Sequence, residues 1–278
     1  MKAAEILGVD AVRFVEPAFA ALTDAGFNTL LAETPGEEGR LLVDEHEEPV
    51  ALAIRGADGW TAGSFLCRNP SLAVIERFET VCGEIFQEDR AVWAAAVREY
   101  YSTALLAEVP PSMEDLNPKR RGILSDLIRE FWGPSSGGTC LDACCGSGVG
   151  SLVLRDLGYA PLSYDNDETL LCRGLTEHRL LPEETMWLDA TIASRYIKPV
   201  PKGIGIMMGE INSFSQEMWQ SIVSELFSLS RETLITVGTE PEALLIRSWG
   251  EELGRHVEVA ENPKDPIYDR WVCRSTAQ

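Results

Sequence analysis

Three acidic residues and a short glycine-rich segment are the residues best suited to chemistry in this sequence. Residues 139–150 read TCLDACCGSGVG, and Asp142 precedes Gly146 by four positions, near the end of an apolar run. A carboxylate buried at the end of a strand needs a hydrogen-bond donor or a cation beside it. Glycines after such a strand let a ligand lie against the backbone amides. The segment therefore predicts a nucleotide-type binding loop.

Two further acids follow later apolar runs. Asp165 comes 165 − 142 = 23 residues after Asp142 and directly follows the run LSY, and Asp189 directly follows Leu188. In dinucleotide-binding folds, an acid that leaves the second strand accepts hydrogen bonds from ribose hydroxyls. Asp189, after the third run, is placed to accept from an adenine amino group. Together the acids predict a ligand that contains a nucleoside.

The elements that must position these acids alternate between strand and helix. Apolar runs predict strands, and apolar residues at helical spacing separate them. The final stretch predicts two strands joined by a loop rather than another crossover. Such alternation favours a parallel sheet with helices on both faces. The predicted strands cover residues 139–144, 161–164, 186–188, 204–208, 234–237, 256–260 and 268–273.

Residues 1–111 predict a smaller α+β module that precedes the main domain at 112–278. Three short runs at 40–43, 50–54 and 60–65 indicate an antiparallel meander. Helical spacing then predicts two amphipathic helices, and Pro110-Pro111 ends the second. The first helix carries Ile75, Phe78, Cys82, Ile85 and Phe86, and the second carries Trp93, Val97, Tyr100, Tyr101 and Ala104.

Over residues 117 to 278 the sequence resembles the class I, Rossmann-like S-adenosylmethionine-dependent methyltransferases. The segments LDACCGSG, YDND and LDA are similar to the first three motifs of that family, in the same order. The resemblance implies a doubly wound, mostly parallel seven-stranded sheet with an antiparallel last strand. It also implies S-adenosylmethionine as cofactor. Cys144-Cys145 departs from the family, which more often has Gly followed by Cys or a small residue.

By the same resemblance, specific residues would contact each portion of the cofactor. Gly146 and Gly148 would flank the methionine portion, with Asp142 organising that end. Asp165 would hold the ribose hydroxyls. The adenine would lie near Asn166, Asp189 and Ala190.

The segment MGEINSF, after the fourth predicted strand, occupies the position at which this family presents residues to the methyl acceptor. Glu210 and Asn212 are the candidates to orient the acceptor or take its proton. The segment is not the Asn-Pro-Pro-Tyr signature of many enzymes that methylate amino groups of bases or glutamine. No catalytic base is assigned.

Three other classes of protein remain as alternatives. A dinucleotide dehydrogenase would have GxGxxG, but Ser151 stands where the third glycine belongs. A radical enzyme would have CxxxCxxC for an iron–sulfur cluster, but Ser147 replaces the third cysteine. A non-catalytic cofactor-binding or regulatory protein of the same fold is the main alternative to a methyltransferase.

Charge and composition narrow the expected partners. The net charge of −20 repels phosphate backbones, so the sequence predicts a protein or small-molecule acceptor and makes nucleic acid an unlikely partner. The N-terminus lacks the features of a secretory signal, no run is long enough for a membrane helix, and no metal site is expected. We therefore expect a cytoplasmic protein. A basic trio, Lys119-Arg120-Arg121, lies at a predicted helix start. We expect its side chains to face solvent rather than to contact a carboxylate of the cofactor or the substrate.

Overall fold

The computed structural model describes residues 2–113 and 117–277. The chain divides into two compact units. The smaller comprises Met1–Ala107 and Pro182–Met186, and the larger comprises Glu108–Leu181 and Trp187–Gln278. In the described part of the chain, every helix is too short or too polar to cross a membrane.

The smaller unit contains a five-stranded sheet in the order β1-β4-β3-β2-β5. The consecutive strands β2, β3 and β4 pair antiparallel and form the predicted meander. The short strand β1 and the strand β5 add to its two edges in parallel. The strands are β1 (Val12–Phe14), β2 (Glu38–Val43), β3 (Pro49–Gly56), β4 (Gly59–Ser64) and β5 (Cys82–Gln87).

The helices of the smaller unit correct one prediction. The periodicity from Ile75 to Phe86 predicts a single helix, but the helix ends at Thr80 and residues 82–87 form β5. The prediction was wrong because parallel pairing with β2 supplies backbone hydrogen bonds to this segment, and Gly83 permits a close approach to the ring of Phe78. The helices are α1 (Lys2–Ile6), α2 (Gly26–Ala32), α3 (Leu72–Thr80) and α4 (Arg90–Glu108).

A seven-stranded sheet in the order β11-β12-β10-β9-β6-β7-β8 contains the strands of the larger unit and, in β8, two residues that the division assigns to the smaller one. Strand β6 pairs in parallel with β7 and β9, and β9 pairs in parallel with β10. Strand β12, the last in the chain, lies between β10 and β11 and runs antiparallel to both. The strands are β6 (Thr139–Ala143), β7 (Ala160–Asp165), β8 (Thr185–Trp187), β9 (Val200–Gly205), β10 (Ser230–Val237), β11 (His256–Glu261) and β12 (Trp271–Thr276).

Helices cover both faces of this sheet, as a doubly wound fold requires. Ile204 packs in a buried cluster with Leu124 and Leu154, whereas added Cβ atoms at the neighbouring Gly203 and Gly205 would meet the side chain of Leu226. Alternate residues of β9 thus face helices on opposite sides. The predicted fold class is confirmed. The helices are α5 (Arg120–Trp132), α6 (Val149–Asp156), α7 (Glu168–Thr176), α8 (Gln216–Leu229) and α9 (Glu240–Glu252).

Helix α5 begins slightly later than the sequence suggests. Pro118 predicts a first helical turn from Asn117, but the helix starts at Arg120. The Asn117 side chain accepts from the amide of Lys119 at 3.0 Å, and its carbonyl accepts from the amide of Arg120 at 3.0 Å. These bonds form a turn before the helix, which makes Arg120 its first residue.

Candidate functional site

Asp142 lies buried in β6, close to the loop that follows the strand. Its Oδ2 accepts from the Ser151 hydroxyl at 2.6 Å, and that hydroxyl is 2.7 Å from the hydroxyl of Ser163. A Cβ on Gly150 would lie 2.8 Å from both oxygens of the carboxylate, so a side chain at 150 would displace Asp142. Burial raises the pKa of Asp142 to about 7, and the hydrogen bonds from Ser151 act against that rise.

The loop between β6 and α6 requires unusual backbone angles. Gly146 and Gly148 have φ angles of 52° and 80°, in the left-handed region that glycine adopts without a steric penalty. Cys144 has a φ of 52° as well, although it carries a side chain. This is the position at which the methyltransferase motif more often has glycine. The departure noted in the sequence therefore introduces local backbone strain.

Asp165 ends β7 with both carboxylate oxygens oriented by backbone amides. Oδ2 accepts from Gly146 N at 2.8 Å, and Oδ1 accepts from Asp167 N at 2.8 Å. The first bond joins the end of β7 directly to the glycine loop after β6. Burial raises the pKa of Asp165, and the two amide hydrogen bonds act against that rise. Each oxygen keeps a lone pair that can accept from a ligand hydroxyl.

The third motif lies beside the second. The amide of Leu188 donates to the Asp165 carbonyl at 3.0 Å, and Trp187 Nε1 donates to the Asn166 carbonyl at 3.1 Å. Asp189 is exposed and Ala190 is buried. The carboxylate of Asp189 caps the short 3-10 helix that follows, accepting from the Thr191 amide at 2.9 Å.

Three carboxylates influence the ionisation of one thiol. Burial is the main cause that raises the pKa of Cys144, and the charges of Asp165, Asp142 and Asp189 raise it further. The predicted cofactor residues at the ends of β6, β7 and β8 therefore occupy one region.

Glu210 and Asn212 lie in the exposed loop between β9 and α8. The side chain of Asn212 folds this loop, since its Oδ1 accepts from the amide of Phe214 at 2.9 Å. The Glu210 carbonyl accepts from the Ser215 hydroxyl at 2.8 Å. Glu242 of α9 anchors the loop by accepting from the Ile211 amide at 2.9 Å. The structure shows how this loop is held, and the roles predicted for Glu210 and Asn212 stay predictions.

Strand order distinguishes two folds that bind nucleotides with similar loops. A dinucleotide-binding sheet has the order 3-2-1-4-5-6. Here β12 is inserted antiparallel between β10 and β11, as the sequence resemblance implies for a methyltransferase. The larger unit has the class I methyltransferase fold.

A network at the carboxyl end of β10 was missed from the sequence. Asp269 is buried, and its Oδ1 accepts from the Thr236 hydroxyl at 2.5 Å. The same hydroxyl accepts from the Met207 amide at 2.7 Å, where Met207 has a φ of 59°. Arg120 Nε reaches Oδ2 of Asp269 at 3.4 Å. The only sequence signal was the basic trio at 119–121, because nothing near Asp269 marks it as a partner.

The comparisons with known proteins give structural relatives only. No family model and no curated protein matches the chain. Magnesium protoporphyrin IX methyltransferase from Synechocystis PCC 6803, solved with bound SAM, is 15% identical, with 66% of this chain and 97% of that chain covered and a TM-score of 0.46. A protein from Pyrococcus horikoshii described as an RNA methyltransferase is 15% identical, with 64% and 95% covered and a TM-score of 0.46. TrmN from Thermus thermophilus is 16% identical, with 57% and 53% covered and a TM-score of 0.44.

One prediction about partners is corrected by these comparisons. The net charge of −20 led us to expect that nucleic acid is an unlikely partner. That prediction was wrong, because a described RNA methyltransferase is among the proteins of similar structure. Net charge sums over the whole surface and does not report the potential of a local binding face.

Proposed function

We propose that this chain is an S-adenosylmethionine-dependent methyltransferase. One observation carries the proposal: the amide of Gly146, in the loop after β6, donates to the carboxylate of Asp165 at the end of β7. This bond fixes an acid of the ribose-binding type beside a glycine turn. The antiparallel β12 sets the fold apart from that of a dehydrogenase.

The residues present fit the proposed cofactor. Among the described residues, Oδ2 of Asp165 accepts from the Gly146 amide and Oδ1 from the Asp167 amide, and a carboxylate oxygen can accept a second hydrogen bond, here from a ribose hydroxyl. At Gly146 an added Cβ would have only Leu170 within 4 Å, at 3.9 Å, so the backbone there is open to the methionine portion. At Gly148 the side chain of Leu180 occupies the space beside the glycine, and contact with the cofactor would come from the backbone. Asn166, Asp189 and Ala190 are the proposed contacts of the adenine.

Bound S-adenosylmethionine would supply a methyl group already activated by its sulfonium. The main tasks of the protein are therefore to align the acceptor and to exclude water. We assign acceptor contacts to Glu210 and Asn212, in the exposed loop after β9. Residues 1–111 are proposed to recognise the acceptor or to act as a lid.

Calorimetric titration tests the cofactor assignment. The intact protein should bind S-adenosylmethionine and S-adenosylhomocysteine and should give no heat with NAD. Binding of NAD, or no binding of either sulfur-containing ligand, would contradict the proposal.

A labelling experiment then tests transfer. The protein is incubated with methyl-labelled S-adenosylmethionine and a cell extract, and the label is measured in the protein, nucleic acid and metabolite fractions. We expect label above that of an Asp165→Ala control in one fraction. Cofactor binding with no transfer to any fraction would instead identify a non-catalytic binding protein.

A further inference from the structure

The glycine loop between β6 and α6 is contacted by the turn that follows α7. Arg179, in that turn, donates from Nε to the carbonyl oxygen of Ser147 at 2.8 Å. Ser147 is buried and lies between the two loop glycines, Gly146 and Gly148. Arg179 lies outside the three sequence motifs, so this contact is known only from the tertiary structure.

The turn that carries Arg179 is itself firmly held. The amides of Arg179 and Leu180 donate to the carbonyl of Gly174 in α7, at 2.9 and 3.1 Å. His178 adopts a φ of 56°, which lets the chain turn at this point. The guanidinium of Arg155, in α6, donates to the carbonyl of Arg179. Two helices therefore fix the backbone from which the Arg179 side chain reaches the loop.

Two glycines allow the turn and α7 to approach the loop closely. A Cβ on Gly174 would lie 2.7 Å from the Ser147 carbonyl oxygen and 2.7 Å from the side chain of Leu180. A Cβ on Gly148 would lie 2.5 Å from that of Leu180. Leu180 is only 1% exposed. The loop, the turn and α7 thus pack directly against one another.

The peptide group between Ser147 and Gly148 is held at both ends. Its amide donates to the Cys145 carbonyl at 2.9 Å, and its carbonyl accepts from Arg179. A half-turn of this peptide group would change φ of Gly148 from 80° to about −100°, which glycine adopts as readily as the observed angle. The local backbone therefore permits two orientations, and the partners of the two ends select one of them.

We infer that Arg179 is a positioning residue, which holds the glycine loop in the orientation that binds S-adenosylmethionine. This inference rests on the proposed function. A hydrogen bond from a charged donor corresponds to about a tenfold change or more in an equilibrium, so its loss would let the Ser147–Gly148 peptide turn in many molecules. Only the molecules in the original orientation would then bind, and the apparent affinity would fall by that fraction.

Two substitutions separate the hydrogen bond from the charge. In Arg179→Gln, Nε2 stands as many bonds from Cα as Nε of arginine does, so a donor is kept, whereas Arg179→Met has a methyl group there. The probe is S-adenosylhomocysteine, followed by stopped-flow fluorescence. We expect Arg179→Met to bind about tenfold more weakly through a lower apparent association rate, with a dissociation rate within about twofold of the wild type. Arg179→Gln should bind within about threefold of the wild-type affinity.

Arg173→Met is the matched control on the same helix. Arg173 pairs with Glu177 at 3.2 Å and makes no contact with the loop among the described residues. This variant should bind S-adenosylhomocysteine with wild-type rates. Urea denaturation establishes that each variant is folded under the conditions of the binding measurement.

Hydrogen exchange of the Gly148 amide gives a second measurement, which needs neither cofactor nor substitution. In the cofactor-free wild type, this amide should exchange at least about 100-fold more slowly than an unprotected one, because its peptide group is held at both ends. In Arg179→Met it should exchange about tenfold faster than in the wild type, and in Arg179→Gln at the wild-type rate.

Each other outcome overturns the inference. An equal loss of affinity in Arg179→Met and Arg179→Gln would show that the bond to Ser147 is not responsible. A loss caused by faster dissociation would show that Arg179 stabilises the complex rather than the free loop. Unchanged binding in Arg179→Met, or an unprotected Gly148 amide in the wild type, would show that Arg179 does not hold the loop. If the wild type binds no S-adenosylhomocysteine although the amide is protected, the proposed function fails instead.

Discussion

Each end of the seven-stranded sheet holds an arginine of low exposure, and the two are hydrogen bonded very differently. At the amino end of β10, Arg255 donates to the carbonyls of Phe227, Ser230 and Arg231 and to the hydroxyls of Thr233 and Ser275. These five bonds match the five N–H groups of a guanidinium. At the carboxyl end, Arg120 makes one such bond within the described residues. We interpret the first arginine as structural, because each N–H group of its guanidinium has an acceptor.

The carboxyl end of the sheet also carries strained backbone and buried carboxylates. Cys144 and Met207, which follow β6 and β9, both adopt positive φ angles, of 52° and 59°. Asp142 and Asp165 are buried near the same ends of their strands. Such features lower stability and persist where the surrounding structure holds them for another purpose. The four predictions below test this division, from the largest expected effect to the smallest.

The stability of the protein should depend strongly on Arg255, the arginine at the amino end of β10. Arg255→Met removes five hydrogen bonds and leaves buried carbonyl groups without donors. We expect the free energy of unfolding to fall by about 3 to 5 kcal/mol in urea denaturation. Arg274→Met, which breaks an exposed ion pair with Glu258, should change it by less than about 1 kcal/mol. A loss below about 1 kcal/mol for Arg255→Met would contradict a structural role.

Asp142 should make stability depend on pH. The folded protein holds the Asp142 proton up to about pH 7, whereas the unfolded chain releases it near the ordinary value of 3.8. Because the folded state binds more protons between these values, the free energy of unfolding should fall as the pH rises from about 4 to about 7. Relative to Asp142→Asn, which does not titrate, the wild type should lose about 2 to 4 kcal/mol across this range, measured without cofactor.

Asp167 offers a control of opposite sign for that measurement. Burial acts to raise its pKa, but hydrogen bonds from Thr169 and Leu170 outweigh burial and lower it. Its contribution to stability should therefore be lost as the pH falls, and Asp167→Asn should not reproduce the effect of Asp142→Asn. A pH profile of Asp142→Asn parallel to that of the wild type would show that Asp142 does not titrate between pH 4 and 7.

Substitution of Asp165 should weaken cofactor binding more than substitution of Asp167 does. Asp165→Ala removes the proposed acceptor of the ribose hydroxyls, so we expect the affinity for S-adenosylmethionine to weaken by about 1 to 3 kcal/mol in calorimetry. Asp167→Ala removes the cap of α7 and should reduce stability by about 1 kcal/mol with little change in affinity. Unchanged affinity for S-adenosylmethionine in a folded Asp165→Ala variant would show that the second motif has been assigned to the wrong residues.

At Cys144, the glycine variant should be more stable than the alanine variant, which is the reverse of their usual order. Both Cys144→Ala and Cys144→Gly lose the thiol, but only glycine adopts a φ of 52° without strain. We expect the glycine variant to have the higher free energy of unfolding, by about 1 kcal/mol, in thermal or urea denaturation. At Cys140, a strand position in the buried core, alanine should be the more stable of the two. A more stable alanine variant at 144 would mean that the loop relaxes.

Most of the larger unit was predictable because its signals are local. Asp142, Asp165 and Asp189 directly precede or follow apolar runs, and alternation of those runs with helical periodicity predicts the sheet. The segment at residues 82–87 was not predictable in this way. Its apolar spacing fits a helix, and only pairing with β2 makes it a strand.

The sequence by itself determined the order of strands and helices in the larger unit, the acids that end the strands and the glycines of the loop between β6 and α6. Tertiary structure decided how each polar group is used. Arg120 and Arg121 are identical in type and adjacent, yet one reaches Asp269, 149 residues away, and the other lies on the surface. Periodicity reports which face of an element is buried, whereas the partner of a buried charge depends on which distant segments the fold brings together.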